Sequence, residues 1–443
     1  MSTHVVQNIV GPNGGPVNFP GGISVGAISS GGINDIGIAG SAGFGVGVCP
    51  GPLPSGMSPL LGTNNPLSDQ YGNYQYSDGS IMVWIPAFYY RIGTGSNGGA
   101  LNVVSILPFA NFASVSVAAS AGYALHRAFY DGGKVQPGVF VDKYQCSNNN
   151  GIASSIKNGN PLSSDPGHNP FSGLTGAPAN NYGGAIAAAK TRGTSFFCNT
   201  RFITSALALL SVAHGQASTN NTYNAWYDAS GTTNFPKGCN NNALGDTNDA
   251  MIGYTSDGYS NCGKTGSANL FSRTTHNGQG SGVADLNGNM WEINPGLTSD
   301  GTNLYLLNTA VSMKNVTGGN AGAADLWGAT GLAAMYTSIG ATYQALTASN
   351  SQKTFGSSSQ VLSEATSGTA WAMAGLGVPL SGGVGGTNLF GNDGLWDYRP
   401  NEMCPLSGGH WSYGAPAGVW ALYLNDVRTT SNDHVGLRSA SYL

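Results

Sequence analysis

The residues of this 443-residue chain that are able to do chemistry are few and widely spaced. Six cysteines stand at positions 49, 146, 198, 239, 262 and 404, and no two form a CxxC or CxxxxC pair. A zinc cage of closely spaced thiolates is therefore not expected. Cys239 and Cys262 flank an Asn- and Gly-rich loop, so they read either as a disulfide of an oxidising compartment or as two free thiols. His410, Asp426 and His434 offer imidazole and carboxylate donors near the C-terminus, at spacings that match no metal-ligand pattern. No HExxH run is present. Arg428 and Arg438 lie among apolar residues of the same segment. A guanidinium in such surroundings is expected to be buried and to fork hydrogen bonds between loops, with contact to an anionic glycan as the alternative.

Composition narrows what can position these groups. Apolar residues make up 40 % and charged residues only 8 %, against roughly 25 % charged in ordinary globular chains. With 69 glycines, this excludes a coiled coil, a long helical bundle and a charged disordered tail. The glycines have no three-residue period, so collagen is excluded too. A net charge of −4 with 16 Lys+Arg argues against a nucleic-acid surface. The opening residues have neither a basic region nor an apolar core, and are not expected to be a secretory signal. The most apolar stretch, Ala100 to Leu125, is interrupted by Pro108, Asn111 and several serines, so no membrane insertion is expected.

Between Met1 and Gln75 the only charged side chains are Asp35 and Asp69. Ile and Val alternate there with small residues, which predicts short strands. So little charge fits burial against sister chains, or else a partly ordered Gly-rich arm. From Ser80 the pattern becomes globular. Ile81–Pro86 and Phe88–Arg91 read as a strand pair interrupted by proline, and Gly138–Tyr144 as a further strand. Two helices stand out, Ala185 to Lys190 and Ser205 to His214, the second capped by Thr204 or Ser205 and ended by Gly215. Residues 300–390 read as strands and loops inserted into the domain.

Several segments carry a family resemblance. They are Gly288-Asn-Met-Trp-Glu292, Gly408-Gly-His-Trp411 and Val435-Gly-Leu-Arg438, with Arg201-Phe-Ile-Thr204 opening the second helix. In this order they resemble the GNxWE, GGxW, VGFR and RLPT segments of one C-type-lectin-like domain. Formylglycine-generating enzymes share that domain with the variable proteins of diversity-generating retroelements. Met82–Pro86, His126–Phe129 and Val141–Tyr144 resemble segments of phage tail proteins with the same domain. The resemblance covers about residues 80–443. It implies an α+β, C-type-lectin-like fold of the formylglycine-generating-enzyme type, rich in loops and short strands with two helices. Residues 76–443 would form that domain, and 1–75 a Gly-rich β segment for attachment and oligomerisation.

The enzyme branch of the family uses a cysteine pair shortly after GGxW and another cysteine after VGFR. Here those places hold Tyr413, Gly418 and Ser439, so the thiol chemistry is missing and no enzyme is expected. By position, the enzyme branch also implies a calcium site from the side chains of Asp285 and Glu292 with the carbonyls of Gly288 and Met290. The competing reading is that Asp285 caps a turn and Glu292 pairs with an arginine.

The retroelement branch fits the C-terminus better. Its variable region is randomised at adenines of Asn codons, which yields His, Ser, Tyr, Pro, Asp or Thr but never Lys, Glu, Gln, Met or Trp. The equivalent positions fall on His410, Ser412, Tyr413, Pro416, Tyr423, Asn425, Asp426, Thr430, Asn432 and His434, and every one is Asn or reachable from AAC. Trp411, Gly418, Ala421, Leu422, Leu424 and Gly436 keep the family's framework, so variable side chains are expected to point to solvent from a core independent of them. The resemblance thus implies a phage or prophage tail receptor-binding protein with a diversified site at about 408–438. Its partners would be a host-cell surface receptor, protein or glycan, other tail proteins, and sister chains in a homotrimer. A cell-surface-displayed variable protein is the alternative, and a formylglycine-generating-like enzyme a more distant one.

Overall fold

The computed structural model describes residues 32–93, 104–227, 238–247, 249–318, 334–343, 346, 352–354, 362–380 and 393–443. Two six-stranded sheets organise these residues. The first runs, in spatial order, Met57–Pro59, Asn73–Tyr76, Ile81–Pro86, Gly138–Asp142, Ser439–Ser441 and Phe197–Cys198, with every neighbouring pair antiparallel. The second runs Gln352–Thr354, Gly394–Trp396, Gly418–Tyr423, Leu406–Gly408, Trp291–Ile293 and Val435–Gly436. It is mixed, because Gly394–Trp396 runs parallel to Gly418–Tyr423, and Trp291–Ile293 parallel to Val435–Gly436. Smaller sheets and long loops surround both, so the architecture is α+β. No helix among the described residues is long and apolar enough to cross a membrane.

The described residues hold four α-helices where the sequence pattern pointed to two: α1 Val115–Ser120, α2 Tyr182–Ala189, α3 Arg201–Ala217 and α4 Gly368–Gly375. Asn181 caps α2, its side chain accepting from the Gly184 N–H. For α3 the cap is Thr200 rather than Thr204 or Ser205, and the helix continues through Gly215 to Ala217. Tertiary contacts hold that last turn: the Phe44 ring stacks on His214 at 5.1 Å, and His214 Nδ1 accepts from the Gly40 N–H. Such packing outweighs the roughly 1 kcal/mol helix penalty of a glycine. α3 is buried along nearly its whole length, with Leu207, Leu209 and Leu210 inside the main core.

Ile81–Pro86 and Phe88–Ile92 are both strands but do not pair with each other. The first joins Asn73–Tyr76 and Gly138–Asp142, and the second joins Val104–Pro108 and Ala124–Leu125. Pro86 ends the first of these strands, opposite Gly138, and it has no N–H to donate to a continuing ladder.

Residues 32–75 share one core with the later part of the chain. Ile36, Phe44, Val46 and Tyr71 belong to the main apolar cluster, together with Phe88, Leu207 and Trp291. Packing is therefore continuous across position 75. The same stretch leaves Ile33, Ile38, Leu61 and Leu67 exposed. Residues 1–31 and much of 300–390 lie outside the described residues.

Candidate functional site

The segments singled out by sequence meet in the second sheet. Gly288 N–H donates to the Gly408 carbonyl at 3.0 Å, Trp411 N–H to that of Asn289 at 3.0 Å, and Trp291 N–H to that of His434 at 2.8 Å. Strand pairing sets Glu292 opposite both Ser407 and Gly436. Arg201, fully buried at the start of α3, ties in the remaining strand: Nη1 donates to Ser407 Oγ and Nη2 to the Trp420 carbonyl, each at 3.0 Å.

Glycine is required at the turn that launches the site. The ladder shifts register between Ser407 and Gly408, and Gly408 and Gly409 have φ of +97° and +93°. A Cβ on Gly409 would stand 2.6 Å from the Ala417 methyl. This left-handed pair turns the chain so that His410 enters the site from the end of the strand.

Burial along 408–438 changes in blocks. Trp411, Gly418, Ala421, Leu422, Leu424 and Gly436 are all buried. Of the positions assigned to variation, Ser412, Tyr413, Pro416, Tyr423, Asn425, Asp426, Thr430, Asn432 and His434 are half-buried. They do not project freely to solvent as expected, and His410 is buried with only 4 % of its surface exposed. The departure has a physical cause, since the aromatic members pack on one another. Tyr413 and Tyr423 each lean on both Trp291 and Trp396, with ring centroids 5.3–5.7 Å apart. His410 stands edge-on to Tyr413 at 4.5 Å and is stacked on His434 at 3.8 Å. Ser412 N–H donates to His410 Nδ1 at 3.3 Å. Trp396 has no part in the family motifs, and its only sequence signal is an aromatic in the short apolar run Leu395-Trp396 beyond the Gly-rich stretch.

Backbone bonds hold the loops that carry these side chains. Asn241 N–H donates to the Tyr413 carbonyl and Asn242 N–H to that of Trp411. On the next loop, Asn432 N–H donates to Ser164 Oγ at 2.9 Å. These three bonds use none of the side chains assigned to variation, whereas the bond from the Ser412 N–H to His410 does. Electrostatics favour neutral forms within the cluster. Burial, with a smaller contribution from His434, pushes the His410 pKa down to about 2. Burial raises the Asp426 carboxyl to about 6 and the Tyr423 phenol to about 12.

The four residues with calcium-ligand positions do something else. Both Glu292 oxygens receive Arg438: Nη2 reaches Oε1 at 2.8 Å, and Nε lies 3.1 and 3.2 Å from the two oxygens. Asp285 accepts from the Gly266 N–H at 2.6 Å and the Tyr254 hydroxyl at 3.3 Å. The Met290 carbonyl receives Gln145 Nε2 at 3.0 Å, and Gly288 is drawn into the turn with Gly408. Calcium needs six to eight oxygens facing one point, and here a buried guanidinium holds the cationic place. This donor set does not fit calcium.

Arg428 and Arg438 are both fully buried, as their surroundings implied. Arg438 also donates to the Asp142 and Ala284 carbonyls. Arg428 donates to the Gly318 carbonyl and to Thr298 Oγ1, with its guanidinium 4.4 Å from the Tyr182 ring centroid. All six cysteines are free and buried, so Cys239 and Cys262 are two thiols rather than a disulfide. Burial pushes every one of them above the ordinary thiol range. None has the electropositive, accessible surroundings of a nucleophile.

Two short runs match catalytic spacings by letter. Gly258-Tyr-Ser-Asn-Cys-Gly-Lys-Thr265 has the spacing of a phosphate-binding loop, but it lies in turns with no strand before it and no helix after it. Thr265 Oγ1 donates to the Ile156 carbonyl instead. A phosphate cradle needs the strand-to-helix context. Gly22-Ile-Ser-Val-Gly26, which has nucleophile-elbow spacing, lies outside the described residues.

No protein-family model matches the chain, and no curated protein matches it. Among solved structures it is similar to one titled Major Tropism Determinant U1 Variant, at 12 % identity and a TM-score of 0.31. The match covers 83 % of this chain and 65 % of that one, so the chain spans less than two thirds of that protein's length.

Proposed function

We propose that this chain is a receptor-binding protein of a phage or prophage tail, borne on the virion, rather than an enzyme. Its ligand site is the cluster formed by His410, Ser412, Tyr413, Tyr423, Asp426 and His434 over Trp291 and Trp396, with Pro416, Asn425, Thr430 and Asn432 on the same loops. The half-buried placement of nine of the ten Asn-derived positions beside a buried framework carries this reading, with His410 the buried exception. A surface that must accept many side chains needs loops held by backbone bonds and a core that does not include the varied residues. Tyr, His, Ser and Asn suit such a surface, because they combine compact aromatic area with adaptable hydrogen bonding. Retroelement diversification of these positions belongs to the same proposal. The absence of a free, accessible thiol among the described residues speaks against the oxidase chemistry of the family's enzyme branch.

Attachment and assembly are assigned to residues 1–75, with a homotrimer as the expected state. Four exposed aliphatic side chains, Ile33, Ile38, Leu61 and Leu67, support burial against sister chains or tail proteins. Several weak sites held together gain avidity without new contacts.

The test pairs host-cell adsorption with thermal melting on one panel of variants. Tyr413→Ser, Tyr423→Ser and His434→Asn should reduce adsorption by roughly tenfold or more, as hot-spot losses do, while the chain stays folded. Leu422→Ala should lower the melting temperature, and its folded fraction should adsorb normally. Unchanged adsorption across all three site variants would overturn the proposal. A sedimentation profile of a monomer at micromolar concentration would overturn the assembly assignment alone.

A further inference from the structure

Behind the loop that carries His434, three side chains from two distant stretches of sequence converge. One ring nitrogen of His168, one carboxylate oxygen of Asp257 and Cys262 Sγ all lie within 4.8 Å of one another. The His168 side chain is 2 % exposed and that of Asp257 fully buried, and Cys262 is fully buried as well. We infer that His168, Asp257 and Cys262 form a binding site for a divalent metal ion of the zinc class, which pins the loop presenting His434.

The surrounding bonds are those that prepare ligands. His168 Nδ1 faces the Asp433 carbonyl at 2.5 Å, an acceptor, so that nitrogen carries the proton. The Nε2 lone pair is then left to face Asp257 Oδ2, 2.7 Å away. An imidazole oriented by a backbone carbonyl through its other nitrogen is the usual arrangement of a metal-ligating histidine. Asp257 is fixed as well, because its Oδ1 accepts the Tyr259 N–H at 2.8 Å. The Tyr259 ring stacks on His168 at 4.1 Å and clamps its plane. Without a cation, both nitrogens of a buried imidazole face oxygen acceptors, which forces a second proton onto the ring. A metal ion takes the place of that proton.

Donor type selects the ion. One imidazole nitrogen, one carboxylate oxygen and one thiol sulfur suit a borderline ion such as Zn²⁺, whereas calcium and magnesium require oxygen alone. The charges also close: Zn²⁺ with one carboxylate and one thiolate is neutral, which burial demands. Binding forms Zn–N, Zn–O and Zn–S bonds. It releases to solvent the Cys262 thiol proton and the proton shared between His168 and Asp257. The ion would bind the 165–169 turn to the 255–263 turn. Through the Asp433 carbonyl it would also hold the loop whose Asp433 carboxylate meets both His434 Nδ1 and the Tyr259 hydroxyl.

The experiment uses the full chain, freed of metal by chelator and dialysis, then titrated with Co²⁺ and with Zn²⁺. One equivalent of Co²⁺ should give a near-ultraviolet thiolate-to-metal band. That band should vanish in Cys262→Ser and persist in Cys239→Ser and in His410→Ala. Zn²⁺ should displace Co²⁺ and raise the melting temperature of the wild type. X-ray absorption on the Zn²⁺-loaded wild-type chain needs no variant to fold, and should show one sulfur among nitrogen and oxygen ligands. No stoichiometric binding, a band that survives Cys262→Ser, or a zinc shell with no sulfur or two sulfurs would each overturn the inference.

Discussion

The imidazole rings of His410 and His434 lie face to face, with centroids 3.8 Å apart and planes inclined by 14°. Two protonated imidazoles cannot share that geometry, and burial already disfavours charge on either ring. Asp433 bonded to His434 Nδ1 only partly restores its basicity. The pair is therefore neutral near pH 7, a stacked surface of amphipathic rings rather than a cationic patch. In proton NMR, the His410 ring signal should stay flat from pH 8 to pH 5. A titration midpoint near 6.5 would show the ring to be solvated and the stack absent.

Gly409 determines where His410 stands. Its φ of +93° disfavours any side chain, and a Cβ there would meet the Ala417 methyl at 2.6 Å. Left-handed backbone alone costs a non-glycine residue roughly 1–2 kcal/mol, and the clash adds to that. Gly409→Ala should lower stability in urea by about 2–3 kcal/mol and reduce adsorption beyond what unfolding explains, because the turn moves His410. Gly414→Ala is the control, since its Cβ would come no nearer than 3.7 Å to Asn241 Oδ1. A Gly409→Ala chain as stable and adhesive as the wild type would refute the role of the turn.

Glu292 and Arg438 settle between two readings of one acidic motif. The pair is buried and doubly hydrogen-bonded, so removing either partner strands a charge. Glu292→Gln or Arg438→Met should each destabilise the chain by about 3–5 kcal/mol. Adding calcium or a calcium-selective chelator should leave the wild-type melting temperature unchanged. A rise of several degrees with calcium would mean that Arg438 gives way to an ion.

How much of this was legible in the sequence depends on the kind of signal. The motif segments announced a shared site because their glycines and aromatics are tied to backbone geometry: Gly288 and Gly409 have positive φ, and Trp291 and Trp411 are buried. The buried guanidinium forks of Arg428 and Arg438 were legible for a related reason, since a cation in an apolar run has few alternatives. Trp396 was not legible, because its place beside Tyr413 and Tyr423 comes from a parallel pairing between strands separated by a long connection. His168, Asp257 and Cys262 were equally silent, being up to about ninety residues apart with no repeating spacing. The depth of the positions assigned to variation also escaped sequence reasoning. Reachability from an Asn codon says which residue types occur, but not that their rings pack on two tryptophans.

Acid should weaken the fold through three buried histidines outside the site. His126, His214 and His276 each use Nδ1 to accept a backbone N–H, from Ala128, Gly40 and Val283 respectively. Protonation would set one N–H against another. Burial pushes their pKa values down, to about 3 for His126 and about 4 for the other two. The ordinary value near 6.5 applies once the chain unfolds. Between about 4 and 6.5 the unfolded chain thus binds more protons at these three residues, so their contribution to stability is complete above 6.5 and falls as the pH drops. Each histidine contributes a slope of about 1.4 kcal/mol per pH unit within that window. Asp285 and Asp426, both raised to about 6 by burial, act in the opposite sense below pH 6, because the folded chain then holds more protons. The net loss should therefore be smaller below pH 6 than the histidines alone would give. Urea unfolding at half-unit steps from pH 8 to pH 4.5 measures this directly. Ring-proton titration midpoints near 6.5 for His126, His214 and His276 in the folded chain would show that these histidines are not held neutral by the fold.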